Sequence, residues 1–220
     1  MEVIAHRGFC KKAVENTPQA VLDAWQVGAD AVEIDVRLSK DGTIAVIHNA
    51  IKRGLRVSRT SYECLKKAGM ANLKQILDIV PKNKKIFIEI KCKSEIIPAL
   101  KTEIQRCAKQ RQIVLIGFDF QTMKQAKMDM PDICVCLSAR KLKPYNKKLI
   151  ERAIDNNFSG LVLEYNSIIA DFTDMCKKSN LKIFAWTVNS VKTAKFLANC
   201  GIAGIITDKP DLIRKTLNKE

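Results

Sequence analysis

Eight short runs rich in β-branched and other apolar residues recur along the chain, separated by stretches with helical spacing. They lie at 2–6 (EVIAH), 31–36 (AVEIDV), 86–91 (IFIEIK), 113–118 (IVLIGF), 133–137 (ICVCL), 160–164 (GLVLE), 182–187 (KIFAWT) and 203–207 (AGIIT). Helix punctuation falls between them. Thr17-Pro18 supplies a cap and a first-turn proline, and Gly28 closes that helix. Thr60-Ser-Tyr-Glu63 has the form of a capping box, Ser190 opens a helix that Gly201 ends, and Pro210 opens the last. No Gly/Ser linker interrupts the series. Strand–helix alternation repeated eight times predicts an α/β fold, and its count and length fit a (β/α)8 TIM barrel occupying 1–220 as a single domain. A doubly wound open sheet is the alternative. No G-x-G-x-x-G follows any run, which argues against dinucleotide binding.

One segment breaks the alternation. After 31–36 comes RLSKDGTIAVIHN, in which Lys40-Asp41-Gly42 signals a tight turn between two extended pieces. The spacing predicts a β-hairpin excursion over 36–48 that returns His48 to the neighbourhood of Asp35. The segment from there to the third strand, 49–81, has room for about two short helices.

Composition narrows the partners. The formal charge is +15, but the lysines are dispersed as pairs, and no recognition motif for nucleic acid accompanies them. The excess charge reads as solvated helix faces that also steer an anion. Neither a signal peptide nor a run of membrane-spanning length is present, so the expectation is a soluble, cytoplasmic protein without a stable membrane anchor. The eight cysteines form no C-x-x-C and read as reduced, mostly packed thiols. The single C-x-C, Cys134-Val-Cys136, has no histidine left to complete a soft-metal site.

In such a barrel, chemistry sits at the C-terminal ends of the strands. Strand 1 ends in His6-Arg7-Gly8. Strand 2 carries Glu33 and Asp35, two apart and therefore on one face. The hairpin returns His48, and the third strand ends in Glu89-Ile-Lys91. Singly, each residue has a plain structural reading: a paired core carboxylate, a hydrogen-bonded histidine, a lysine reaching outwards. Jointly they do not, because a stability-driven core has no reason to gather so many charges at one rim. Three carboxylates suit a hard divalent cation, Mg²⁺ or Ca²⁺, better than zinc. Arg7 and Lys91 complement an anion such as phosphate. Two imidazoles suit acid and base work near neutral pH, and metal-assisted phosphoester cleavage uses all of these groups.

The ordered motifs resemble the glycerophosphodiester phosphodiesterases. They are His6-Arg7-Gly8, Glu15-Asn16-Thr17, Glu33-Ile-Asp35, Lys40-Asp41-Gly42 with Val46-Ile47-His48, Glu89-Ile-Lys91, Trp186-Thr-Val-Asn189 and Gly204-Ile-Ile-Thr-Asp-Lys-Pro210. The resemblance runs through nearly the whole chain. It implies a barrel and metal-dependent hydrolysis of glycerophosphodiesters to glycerol 3-phosphate and an alcohol. It makes His6 and His48 the catalytic acid/base pair, and Glu33, Asp35 and Glu89 the ligands of one divalent cation. Arg7 and Lys91 become phosphate contacts, and Trp186 lines the substrate pocket. The partner it implies is a small-molecule glycerophosphodiester, and it leaves a homodimer open. Either water or the substrate's own glycerol hydroxyl can serve as nucleophile.

Three departures from the family pattern stand out. Asn49 follows His48 where aspartate is usual, Val14 replaces the proline before Glu-Asn-Thr, and the insertion before the third strand is very short. Two rival readings follow. One is a phospholipase D-like enzyme acting on lysophospholipids through an open mouth. The other is a catalytically weakened barrel that binds a phosphorylated ligand. Glu164, at the end of the sixth strand, reads equally well as a polar strand end and as a substrate contact.

Overall fold

In the computed structural model, residues 1–107, 110–140 and 147–217 are described. The strands are β1 (Glu2–His6), β2 (Ala31–Leu38), β3 (Ile44–Val46), β4 (Ile51–Lys52), β5 (Leu55–Arg56), β6 (Ala71–Asn72), β7 (Lys85–Ile90), β8 (Ile113–Gly117), β9 (Cys134–Ala139), β10 (Gly160–Glu164), β11 (Lys182–Trp186) and β12 (Gly204–Thr207). The helices are α1 (Pro18–Gln26), α2 (Tyr62–Lys67), α3 (Leu73–Ile79), α4 (Ile97–Arg106), α5 (Phe120–Asp129), α6 (Lys147–Asp155), α7 (Ala170–Lys178), α8 (Val191–Asn199) and α9 (Pro210–Leu217). Parallel pairing runs β1-β2-β7-β8-β9-β10-β11-β12 and returns to β1, so eight strands close a (β/α)8 barrel.

The predicted excursion forms. β3 pairs antiparallel with β2, Val36 opposite Val46, and β6 adds to β3. Beyond the turn, the Ile47 amide donates to the Asp35 carbonyl at 2.8 Å, which sets His48 beside the rim. Arg37 fastens the hairpin from below, donating to the carbonyls of His48 (2.9 Å) and Lys91 (2.7 Å).

Alternation along the strands divides the core in two. Outward residues such as Val3, Val32, Ile34, Ile86 and Leu115 pack beneath the helices. Inward residues Ile4, Phe87, Ile116, Cys136, Val162, Phe184 and Ile206 fill the barrel itself. Phe87 and Phe184 meet edge to face at 5.0 Å, a geometry worth about 0.5–1.5 kcal/mol beyond simple burial. The barrel is therefore plugged below, and open space remains only above these side chains.

Two expectations need correction. Thr60–Glu63 forms no capping box: Ser61 stands at the helix start without a side-chain cap bond, and Asp41 from the hairpin turn accepts the Tyr62 amide at 3.0 Å instead. The reciprocal box belongs to Asn72 and Gln75, at the start of α3. The thiols are also less packed than expected. Cys136, Cys176 and Cys200 are buried, whereas Cys10, Cys64 and Cys134 are exposed. Among the described residues no helix is long and apolar enough to cross a membrane.

Candidate active site

The inward parity of the strands that packs the barrel floor also selects the side chains above it. On β2 the inward positions after Ala31 are Glu33 and Asp35, and on β7, after Phe87, Glu89. Asp35 lies directly opposite Glu89 in the parallel register, and adjacent strands are only about 4.8 Å apart. One carboxylate oxygen from each of Glu33, Asp35 and Glu89 falls within 4.8 Å of the others, and all three residues are buried.

Buried carboxylates need partners, and this cluster is only partly satisfied. The Arg7 amide donates to Glu33 Oε2 at 3.0 Å. Asn16 donates from Nδ2 to Asp35 Oδ2 and accepts the Asp35 amide, both at 2.9 Å. Lys91 donates to Glu89 at 2.6 Å and stands 3.2 Å from Asp35 Oδ1. The Arg7 guanidinium bridges Glu15 (2.9 Å) and Asp35 (3.2 Å). Glu33 Oε1 and Asp35 Oδ1 are buried without a hydrogen bond. Burial, with Asp35 and Glu89 alongside, pushes the Glu33 carboxyl well above the ordinary carboxylate range. Burial also raises Glu89, against the pull of Lys91. Hard oxygens short of hydrogen bonds among mutually repelling carboxylates are what a divalent cation satisfies, so the donor set fits one.

The loop after β1 has the backbone this arrangement needs. Arg7 and Asn16 both occupy the left-handed region, at φ 58° and 60°, where asparagine is tolerated better than most residues. Gly8 (φ 86°) turns the chain against α1, and a Cβ there would lie 2.6 Å from the Ala20 carbonyl carbon.

A cavity of about 190 Å³ opens beside the cluster, lined by His6, Arg7, Glu33, His48, Glu89, Lys91, Ile116, Phe118, Ser138, Arg140, Val162, Trp186, Thr187 and Ile206. Of the eight residues given a site role by the resemblance, only Asp35 is missing from the lining, because it lies beneath, fully buried; Glu164, which reads equally as a polar strand end and as a substrate contact, does not line it either.

The expectation of a His6/His48 acid/base pair at the centre is corrected. The groups that the barrel brings together are Glu33, Asp35 and Glu89. The histidines stand at the rim on separate supports. His6 Nδ1 contacts Asp208 at 2.6 Å, and His48 Nδ1 contacts Asn49 at 2.9 Å. The His6 contact, with a further hydrogen bond from Asn189 at 2.6 Å, holds the Asp208 carboxyl below its ordinary range.

Several contributors carry no sequence-derived role. Asn16 and Asp208 lie inside the quoted motifs, yet their partners are 19 and 202 residues away. Phe118 ends its apolar run on the parity that picks out Glu33 and Asp35, and Ser138 and Arg140 follow from the same parity once β9 is extended past its apolar run.

A closed (β/α)8 barrel with a buried acidic cluster at the C-terminal face defines a metal-binding barrel class. Within it, the profile of the Glycerophosphoryl diester phosphodiesterase family matches residues 6–212, and the chain belongs to that family. It is 28% identical to a glycerophosphodiester phosphodiesterase of Caldanaerobacter subterraneus subsp. tengcongensis, over 99% of this chain and 98% of the relative. A glycerophosphodiester phosphodiesterase of Thermotoga maritima has the same fold at TM-score 0.84 and 27% identity, covering 97% of this chain and 96% of that one. An Oleispira antarctica phosphodiesterase, solved with its product sn-glycerol-3-phosphate, superposes at TM-score 0.89 and 24% identity, covering 99% and 97%. Family and fold support a glycerophosphodiester phosphodiesterase activity.

Proposed function

We propose that this protein hydrolyses glycerophosphodiesters to glycerol 3-phosphate and an alcohol, at a centre built by Glu33, Asp35 and Glu89. The observation that carries this reading is the buried carboxylate trio with two oxygens lacking hydrogen-bond partners. These three residues would hold one divalent cation, Mg²⁺ or Ca²⁺ by the hardness of their oxygens. When bound, it supplies Lewis-acid polarisation of the phosphodiester.

The remaining work falls to the chain's own groups. Arg7 and Lys91 line the cavity beside the cluster and present cationic donors to the phosphate oxygens. Both are held in place by carboxylates, Arg7 by Glu15 and Asp35, Lys91 by Glu89 and Asp35. Asn16 fixes the rotamer of Asp35 from behind. Trp186 forms part of the cavity wall and meets Phe118 edge to face at 5.6 Å. A space of about 190 Å³ suits a small polar ligand, being below the usual volume range of drug-sized pockets.

The test is release of glycerol 3-phosphate from a panel of glycerophosphodiesters, with EDTA and with Mg²⁺, Ca²⁺ or Mn²⁺ restored. EDTA should abolish turnover, and one of the metals should restore it. Glu33→Gln should cost on the order of 100-fold in activity, since a ligand is lost while the volume is kept. EDTA-insensitive turnover, or no product with any metal, would overturn the proposal.

A further inference from the structure

The two cations nearest the acidic cluster are already committed to carboxylates. Arg140 is not. It follows β9 on the same inward parity as Ser138 and Cys136 and lines the cavity. Among the described residues no carboxylate pairs with it. Its guanidinium carbon stands 5.0 Å from the Phe118 ring centre and 5.9 Å from that of Trp186. Those rings are themselves edge to face at 5.6 Å with an interplanar angle of 89°. A guanidinium packed on two aromatic rings is held in place with its hydrogen-bonding edge still available.

We propose that Arg140, braced by Phe118 and Trp186, is a specificity-determining residue that selects a head group bearing a carboxylate on the alcohol side of the site. This rests on the hydrolase reading above. A phosphodiester anion at the acidic cluster has Arg7 and Lys91 beside it. Arg140, reached from β9, then faces the part of the ligand beyond the phosphate. Two physical points set the class of that part. An aromatic pair free of a protein cation would favour a quaternary ammonium, but here a guanidinium already occupies the rings, so a cationic head group meets like charge. A carboxylate instead receives a charge-assisted, bidentate hydrogen bond from a donor that no carboxylate among the described residues engages.

Glycerophosphoserine and glycerophosphoethanolamine form the matched probe pair, since they differ by one carboxylate. The wild-type enzyme should favour the serine compound about tenfold or more in kcat/KM, the scale of one charge-assisted hydrogen bond. Arg140→Gln should collapse that ratio towards one, and Arg140→Lys, which keeps the charge but not the planar fork, should give an intermediate ratio. Equal loss on both compounds would overturn the assignment, because Arg140 would then act on the shared phosphate. A wild-type ratio near one would overturn it as well. Calorimetric binding of the two compounds in the presence of Ca²⁺ separates the possible failures. Tighter binding of the serine compound without turnover would overturn the hydrolase reading and keep the head-group assignment. Turnover of both without preference would overturn the head-group assignment alone.

Discussion

Asn16 shows how much one uncharged side chain can hold together. It is 4% exposed, sits at φ 60°, and uses both ends of its amide on Asp35. Replacing it with Leu would leave the buried Asp35 amide unpaired and leave Asp35 Oδ2 with the Arg7 guanidinium alone. The expected cost is about 1–3 kcal/mol, read by denaturant unfolding, with weaker divalent-cation binding by calorimetry because Asp35 is no longer held. Unchanged stability would show that water takes over both bonds. At this scale the legible part of the site is what strand parity carries. Glu33 and Asp35 share a face by spacing alone, and Glu89 joins them once β7 is placed. The parity also covers Arg140, but β9 runs on through polar Ser138 to Ala139, past the apolar residues that mark it in the sequence. The supports of the histidines stay hidden for another reason. Asp208 reaches His6 across 202 residues, and only barrel closure makes them neighbours. Two rare histidines invite pairing on paper, while separate side chains, Asp208 and Asn49, hold their rings.

Among the elements, the eight barrel strands and most helix ends are legible because their signals are local, whereas the two-residue strands β4, β5 and β6 fall in a segment that reads as short helices alone. Thr17 caps α1 and Ser190 caps α8 through their own side chains. Helix α2 starts without the expected capping box because its cap, Asp41, comes from a hairpin turn 21 residues upstream. Asp119 gives the element scale its test. It caps α5, accepting from the Thr122 amide at 3.0 Å and hydroxyl at 2.7 Å, and it pairs with Lys93. These bonds, the Lys93 contact foremost, hold its carboxyl down at about 2, from 3.8. A carboxyl lowered by folding stabilises the protein above its unfolded pKa, and that stabilisation is lost as pH falls through the folded value. Asp119→Ala should therefore cost about 1 kcal/mol at neutral pH, the usual value of a cap. The gap between variant and wild type should close between about pH 4 and pH 2. A gap constant across that range in urea titrations would mean that the cap works without its charge.

At the scale of the whole molecule, the barrel accepts a cost at its mouth that a bound cation would relieve. Glu33 and Glu89 both titrate higher in the folded protein than in the free chain, chiefly through burial. The sign is opposite to that of Asp119. The folded state holds these protons more tightly, so Glu33 and Glu89 cost nothing below the unfolded value of about 4.3 and progressively more as pH rises above it. A divalent cation competes with those protons, so its affinity and its stabilising effect should both grow with pH. At a hundredfold excess over Kd, binding adds about 2.7 kcal/mol. For a chain of this size that corresponds to a rise in Tm of roughly 5–10 °C. Ca²⁺ or Mg²⁺ should therefore raise Tm by that amount at pH 8 and by much less at pH 5. Glu33→Gln should melt higher than the metal-free wild type at pH 8, because a neutral amide replaces a repelled carboxylate, and it should lose most of the metal-dependent rise. Equal metal shifts at both pH values would mean that the cation binds elsewhere, at groups already ionised at pH 5. A Glu33→Gln protein less stable than metal-free wild type would show that the carboxylates are held together by Arg7 and Lys91 alone, with no strain left for a cation to relieve.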